Sequence, residues 1–377
     1  MTTAAAGARA IVRVDAGWRI GSGHVMRCLT IAAGLREAGV ASTFVCRTHD
    51  GHMAATIEAA GFAVCLVPVD PAFAVRTDYA GWRGGSLASD IEASRNAMAE
   101  IGGADLLLVD HYGLDAAFEQ ALRPHVRGIV VLDDLYDKPH ACDVLIDQNI
   151  GHTPELFAPH VAPGTVLLVG ADYAPLRRDF ADRRAAALAR RATVSQPRTL
   201  LVAVGGSDHL DVTSRVLAAL DPASGLGLDW VETAHIVLAG MAPHLDQVRE
   251  LVARLPAVRL HVDSRNMPDL MIEADIAIGG SGVTAIERCV MGLPTLIVVM
   301  AENQVGSAHR LQSLGATRTL GHGADLTPEG IAGALQALRC DSDGYSRMIA
   351  AAARQCDGRG IERILPRIIS LLNITRP

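Results

Sequence analysis

Short, unbroken apolar runs rich in β-branched residues alternate with helix-like stretches along nearly the whole chain, and no other feature limits the fold as much. The first series is Ile11 to Val14, Ser42 to Cys46, Phe62 to Val67, Leu106 to Val109, Ile129 to Leu132 and Val144 to Ile146. After Gly170 the chain turns helical and charged, and Pro197 breaks it. A second series follows in Leu200 to Val204, His235 to Leu238, Val258 to His261, Ile276 to Ile278 and Thr295 to Val299. Continuous apolar strands are what a parallel sheet needs when helices cover both of its faces. The expected fold class is α/β, with two Rossmann-like domains in succession. Open sheets of this kind bind ligands beyond the carboxyl ends of their strands, so the two domains are expected to face a central cleft. The expected boundaries are 1–172 for the first domain, 173–197 for a helical linker without evident chemistry, 198–356 for the second domain and 357–377 for a C-terminal helix. In that helix Ile361, Ile364, Leu365, Ile368, Ile369 and Leu372 repeat at helical spacing. The periodicity says that it docks, but not on which domain.

Composition narrows the function. Of 377 residues, 50% are hydrophobic, enough for two cores. Lys and Arg number 34 against 41 acidic residues, a formal net charge of −7. With no polybasic block either, nucleic acid is not an expected partner. The longest apolar runs, such as Leu296 to Ala301, fall far short of the roughly 20 residues of a membrane helix. Met1-Thr2-Thr3 opens no charged-then-apolar leader. A soluble, cytoplasmic monomer without a membrane partner is expected. The 7 cysteines are scattered, with no C-x-x-C pair, and read as reduced small hydrophobes.

Three strand-to-helix turns could carry chemistry. Asp15 follows the first strand, and Gly17, Gly21, Ser22, Gly23 and His24 lead into a helix near Val25. Gly21 and Gly23 would let a ligand approach the main chain, and the helix start favours an anion. Met26 stands where a dinucleotide fingerprint needs its third glycine. His24 projects from this loop; a lone histidine is usually structural, and the loop position brings the catalytic reading level with that one. The run Val204-Gly205-Gly206-Ser207-Asp208 has the form of a second anion-binding turn. In the third turn, Gly280, Ser281 and Gly282 could offer N–H groups to a diphosphate, and Glu287 could accept hydrogen bonds from ribose hydroxyls. The other reading is a tight βα turn with a surface glutamate. Asn303 and Gln304 suit sugar hydroxyls, or simply form a turn. Asp110-His111-Tyr112 either lines the site or is an ordinary strand exit. Asp133-Asp134 reads as a cap or loop network, because adjacent carboxylates alternate in direction, and Asp341-Ser342-Asp343 reads as a turn after a helix. No metal and no cofactor are expected.

These motifs run in a recognisable order. Arg13-Val14-Asp15-Ala16, Ile20 to Cys28, Asp110-His111-Tyr112, Leu132-Asp133-Asp134, Gly205 to Asp208, Met267 to Met271, Glu287-Arg288-Cys289 and Ala301 to Gln304 span most of the chain. The set resembles the UDP-2,4-diacetamido-2,4,6-trideoxy-β-L-altropyranose hydrolases of pseudaminic acid biosynthesis. That family is related to the inverting transferase that adds N-acetylglucosamine to lipid II, and it has the two-domain fold called GT-B. The resemblance implies a UDP-sugar substrate whose UDP is replaced by water at the anomeric carbon, with inversion and without a metal ion. It implies that His24 holds and deprotonates the water, and that the helix start at Gly280 to Gly282 stabilises the departing UDP. It puts uracil against the backbone near Asn266 and Met267, ribose on Glu287 and the sugar near Asn303 and Gln304. Arg13, Asp15, Gly21, Gly23, Trp82, His111, Tyr112, Gly206, Ser207 and Ser281 complete the substrate contacts that it implies. Trp82 and Asp90 keep a family-like spacing, and Arg83-Gly84-Gly85-Ser86 between them could shape sugar specificity. Two other functions stay open: a GT-B glycosyltransferase in which an acceptor hydroxyl replaces water, and a non-catalytic nucleotide-sugar sensor.

Overall fold

The computed structural model describes residues 7–74, 78–194 and 196–373, apart from the side chains of Ala74 and Asn303. Within them lie two sheets, parallel throughout. The first contains β1 (Arg9–Val14), β2 (Ala41–Arg47), β3 (Ala63–Val67), β4 (Leu106–Asp110), β5 (Gly128–Leu132), β6 (Val144–Asp147) and β7 (Val166–Val169), in the order β3-β2-β1-β4-β5-β6-β7. The second contains β8 (Thr199–Ala203), β9 (Thr233–Leu238), β10 (Val258–Val262), β11 (Ile276–Gly280), β12 (Thr295–Val299) and β13 (Thr317–His322), in the order β10-β9-β8-β11-β12-β13. The order reverses between β1 and β4 and between β8 and β11. At such a switch point adjacent connections leave for opposite faces, which opens a crevice at the strands' carboxyl ends.

Strand period decides which core each residue joins. In β1, Val12 and Val14 pack with Val25, Cys28, Ile31 and Leu35 of the helix Gly23–Glu37, whereas Ile11 faces the opposite layer with Leu107, Val109 and Phe118. The second sheet buries Leu200, Val202, Ile236, Ile278 and Leu296 in a core of its own.

The chain divides into two units, 1–176 with 359–377, and 177–358. The helix Gly360–Leu372 therefore completes the first unit, although it follows the second in sequence. Its Ile361, Ile364, Ile368, Leu371 and Leu372 join the cluster built on Val12 and Val14, and Arg363 donates to the Asp172 carbonyl at 3.0 Å. The segment 173–197, expected as a linker, is not one piece. Its helix Arg178–Arg191 packs within the second unit, burying Phe180, Ala187 and Arg191. Arg191 donates to the carbonyls of Met271 and Ala274, and Arg190 pairs with Asp275 at 2.8 Å. No helix among the described residues is long and apolar enough to cross a membrane. No disulfide joins any of the cysteines among the described residues; Cys65 is half-buried, Cys340 exposed and the others buried.

Candidate functional site

Register places the first group of polar residues. Val14 lies beside Asp110 and Asp110 beside Leu132, so Asp15, Asp110, Asp133 and Asp134 all fall along the carboxyl edge of the sheet. The helix Gly23–Glu37 starts at the same edge, and its first turn presents His24 and Arg27, three residues apart, on one face. His24 Nδ1 is 2.6 Å from Asp110 Oδ1. Arg27 grips the same carboxylate twice, Nε to Oδ2 at 2.6 Å and Nη2 to Oδ1 at 2.7 Å, and reaches Asp134 Oδ2 through Nη1 at 2.7 Å. The Tyr112 hydroxyl donates to Asp134 at 2.7 Å.

Burial by itself would push the Asp110 carboxyl up, but Arg27 and then His24 outweigh it and hold the group well below the usual carboxylate range. An ionised Asp110 fixes the tautomer: His24 donates from Nδ1, which leaves the Nε2 lone pair as the acceptor. Burial and Asp134 push the Tyr112 phenol well up, so it stays a donor. Aromatic walls frame the imidazole. Tyr112 meets it edge-on at 4.6 Å and Trp82 at 6.5 Å; Trp82 in turn stacks on Tyr112 at 5.6 Å, with Tyr79 4.9 Å from Trp82.

Of the expected substrate contacts, Arg13, Asp15 and His111 are buried and paired with one another. Arg13 and Asp15 have 0% exposure and saturate each other: Arg13 Nη1 is 2.8 Å from Asp15, and its Nη2 is 2.8 Å from Asp90. Asp15 also accepts the Arg47 backbone N–H at 2.7 Å. His111, 5% exposed, accepts the Gly113 N–H on Nδ1 at 2.9 Å and turns Nε2 towards Asp15 at 3.2 Å. Its burial outweighs Asp15 and lowers its pKa, keeping the ring neutral. Arg13, Asp15 and His111 are thus held to one another and to Asp90 inside the first unit. Gly21, at the surface with φ of +84°, donates to the Gly17 carbonyl at 2.8 Å and closes the glycine loop in a conformation that favours glycine. Gly23 opens the helix, half-buried.

In the second unit, β11 runs into Ser281, and Gly282 caps the helix Val283–Val290 with no side-chain partner. A Cβ on Gly280 would approach the Val204 carbonyl oxygen to 2.6 Å, whereas one on Gly282 would meet nothing within 4 Å, so the space over the helix start is open. Ser281 Oγ donates to the Gln304 carbonyl at 3.1 Å, and Gln304 Oε1 accepts the Met300 N–H at 3.2 Å. Gln304 thus braces this turn from the short helix Glu302–Gln304; the Asn303 side chain lies outside the described residues. Glu287 is partly exposed yet crowded, and the resulting desolvation, opposed by Arg177 and Arg288, pushes its carboxyl up to about 7. Asn266 is exposed and Met267 half-buried at the start of the helix Met267–Glu273. The turn at Gly205 to Asp208 leads into the helix Val212–Leu220. Asp208 accepts the N–H groups of Val212 and Thr213 at 2.9 and 2.8 Å, so its own carboxylate satisfies the first amides of that helix. Gly206 is left exposed and Ser207 half-buried.

Within the first unit, then, the structure brings together His24, Trp82 and Tyr112, and within the second Gly280, Ser281, Gly282 and Gln304. Sequence reasoning left Arg27 out of the site and read Asp134 only as part of a cap or loop network. The available signal was the three-residue spacing of His24 and Arg27 beside a strand that ends in aspartate.

No family model matches the chain. It is 27% identical over 227 residues to the spore coat polysaccharide biosynthesis protein SpsG of Bacillus subtilis (strain 168), covering 60% of this chain and 64% of that protein. It is 20% identical over 211 residues to the UDP-2,4-diacetamido-2,4,6-trideoxy-β-L-altropyranose hydrolase of Campylobacter jejuni, covering 56% of this chain and 72% of that protein. The chain thus spans less than two thirds of the length of SpsG. Among solved structures, Acinetobacter baumannii MurG matches with a TM-score of 0.63 at 16% identity, over 96% of this chain and 99% of that one. The calicheamicin glycosyltransferase CalG4 matches with a TM-score of 0.65 at 16% identity, over 98% of this chain and 100% of that one. The fold is GT-B.

Proposed function

We propose that the chain is a nucleotide-sugar hydrolase that releases UDP from UDP-2,4-diacetamido-2,4,6-trideoxy-β-L-altropyranose, with inversion at the anomeric carbon and independently of metal, in pseudaminic acid biosynthesis. The observation that carries this reading is the pairing of His24 Nδ1 with an ionised, doubly clamped Asp110. Similarity to the Campylobacter jejuni hydrolase supports the choice of substrate.

In this reaction a water oxygen attacks the anomeric carbon as the bond from that carbon to the diphosphate oxygen breaks. The water proton passes to His24 Nε2, and Asp110 stabilises the imidazolium that results. A positioned base of this kind contributes about 10²- to 10⁴-fold. Arg27 keeps Asp110 ionised and orients it, so the proton rests on His24 and not on the carboxylate. Trp82 and Tyr79 offer apolar faces to the methyl and acetamido groups of the sugar. The uncapped helix start at Gly282 meets the charge that develops on UDP, and Glu287 receives the ribose hydroxyls, with Asn266, Met267 and Asn303 as further contacts.

Proton NMR of the protein with this nucleotide sugar in EDTA, without an acceptor, tests the proposal. Prompt appearance of UDP and of the inverted free sugar is expected; an intact substrate overturns the hydrolase. One observation favours a transferase instead. Trp18 and Met26, 57% and 39% exposed beside the glycine loop, would be covered by an apolar acceptor, and UDP release that begins only when such an acceptor is added would establish that reading.

A further inference from the structure

Arg288 is the most unusual charge in the second unit. It is 1% exposed, yet no carboxylate among the described residues forms an ion pair with it. Its Nη1 donates to Thr284 Oγ1 at 3.2 Å, its Nη2 donates to the Gly280 carbonyl, and its Nε is buried without a partner. The buried arginines of the first unit differ, because Arg13 and Arg27 each meet two carboxylates. Arg191 also lacks an ion pair among the described residues, but it lies against the carbonyls that end the helix Met267–Glu273, at the negative end of a helix. Arg288 has the opposite placement. Its side chain runs back along its own helix to Thr284 and Gly280, so a buried cation sits at the positive end of that helix, whose first amides no side chain caps. The sequence makes room for it. A Cβ on Gly279 would collide with the guanidinium, so glycine at that strand position lets the group lie flat against β11. Burial pushes Arg288 down to about 10, the mark of a charge short of compensation.

We infer that Arg288 sets the charge preference of this helix start: its guanidinium, tied to Thr284 and to the Gly280 carbonyl, has no ion-paired carboxylate among the described residues and is completed by the phosphates of a bound ligand. The inference rests on the nucleotide reading of the turn and adds to it a residue behind the ligand. Arg288 is a positioning residue that acts through Thr284. Because Thr284 Oγ1 accepts from the guanidinium, its hydroxyl proton turns away from Arg288 and is available to a phosphate oxygen.

The test compares UDP with uridine, which share the base and the ribose and differ in the diphosphate. Both are titrated into the full chain by calorimetry or NMR, as wild type and as Arg288→Gln. The variant is expected to weaken UDP roughly tenfold or more and to leave uridine unchanged. Equal losses for both ligands would mean that Arg288 only holds the loop together, and no loss for either would remove it from the site; both results overturn the inference. If Arg288→Gln does not fold, Thr284→Val, which deletes only the connecting hydroxyl, carries the same comparison. Pyrophosphate separates this inference from the reading beneath it. A wild type that ignores UDP but gains thermal stability with pyrophosphate, a gain that Arg288→Gln loses, would sink the nucleotide and keep the role of Arg288. A wild type that responds to neither sinks both.

Discussion

Asp110 carries the heaviest demand of any side chain in the first unit, since one carboxylate orients His24 and neutralises Arg27. Asp110→Asn would keep the shape and lose both. Turnover is expected to fall about 10²-fold or more with little change in KM. Thermal stability is expected to fall too, because breaking a buried pair costs about 3–5 kcal/mol; initial rates and an unfolding curve on the same preparation check the two effects. Tyr112→Phe removes one hydrogen bond to Asp134, and a loss of about 1 kcal/mol in denaturant unfolding is expected. Glu287 makes a prediction in pH. Its folded pKa of about 7 lies above the ordinary 4.5, so its favourable contribution is present below 4.5 and is lost as pH rises through 7. The melting temperature should therefore drop between pH 5 and 8 by an amount that Glu287→Gln largely removes. His24 was legible in the sequence because its glycine loop is a local pattern. The burial of Arg13 and Asp15 is not legible, because a polar pair two residues apart gives no local sign that it is sealed between β2 and the helix Leu87–Glu100. The pairing of Arg27 with Asp134 is not legible, because their meeting depends on the register of three strands, which local spacing does not contain.

Among the elements, central strands could be read directly, since apolar burial on both faces leaves an unbroken run. The two that escaped, β7 and β13, are sheet edges paired on one side only. In β13 the sequence Thr317-Arg318-Thr319-Leu320-Gly321-His322 is mostly half-buried, and its ladder with β12 shifts register between Ile297 and Val298, so neither strand period nor apolar content marks it. The helix Gly360–Leu372 was the reverse case, with a clear period and an unreadable address. Its docking surface is the helix Gly23–Glu37, where a Cβ on Gly34 would collide with Leu365. Ile364, fully buried in that contact layer, gives the element a measurable weight. Ile364→Ala is expected to cost about 2–5 kcal/mol in urea unfolding, with the loss confined to signals from the first unit.

At the scale of the whole molecule, the α/β class and the pair of sheets followed from the alternation of runs, whereas the interleaving of the units did not, because a boundary read along the chain assumes that each unit is one continuous piece. The second unit is continuous, 177–358, and the first is not. The fragment 177–358 should therefore unfold cooperatively by itself in circular dichroism, while 1–176 alone should bind a hydrophobic dye and lack a sharp transition; a cooperative 1–176 would show that the last helix is dispensable. The same arrangement has a consequence for birth on the ribosome. The strands and helices of residues 1–176 emerge first, yet the face of the helix Gly23–Glu37 around Gly34 stays uncovered until Gly360–Leu372 leaves the exit tunnel. At about 5–20 residues per second that delay is roughly 10–40 s, so the unit made first is finished last, and a nascent-chain chaperone has a defined apolar surface to shield in the interval.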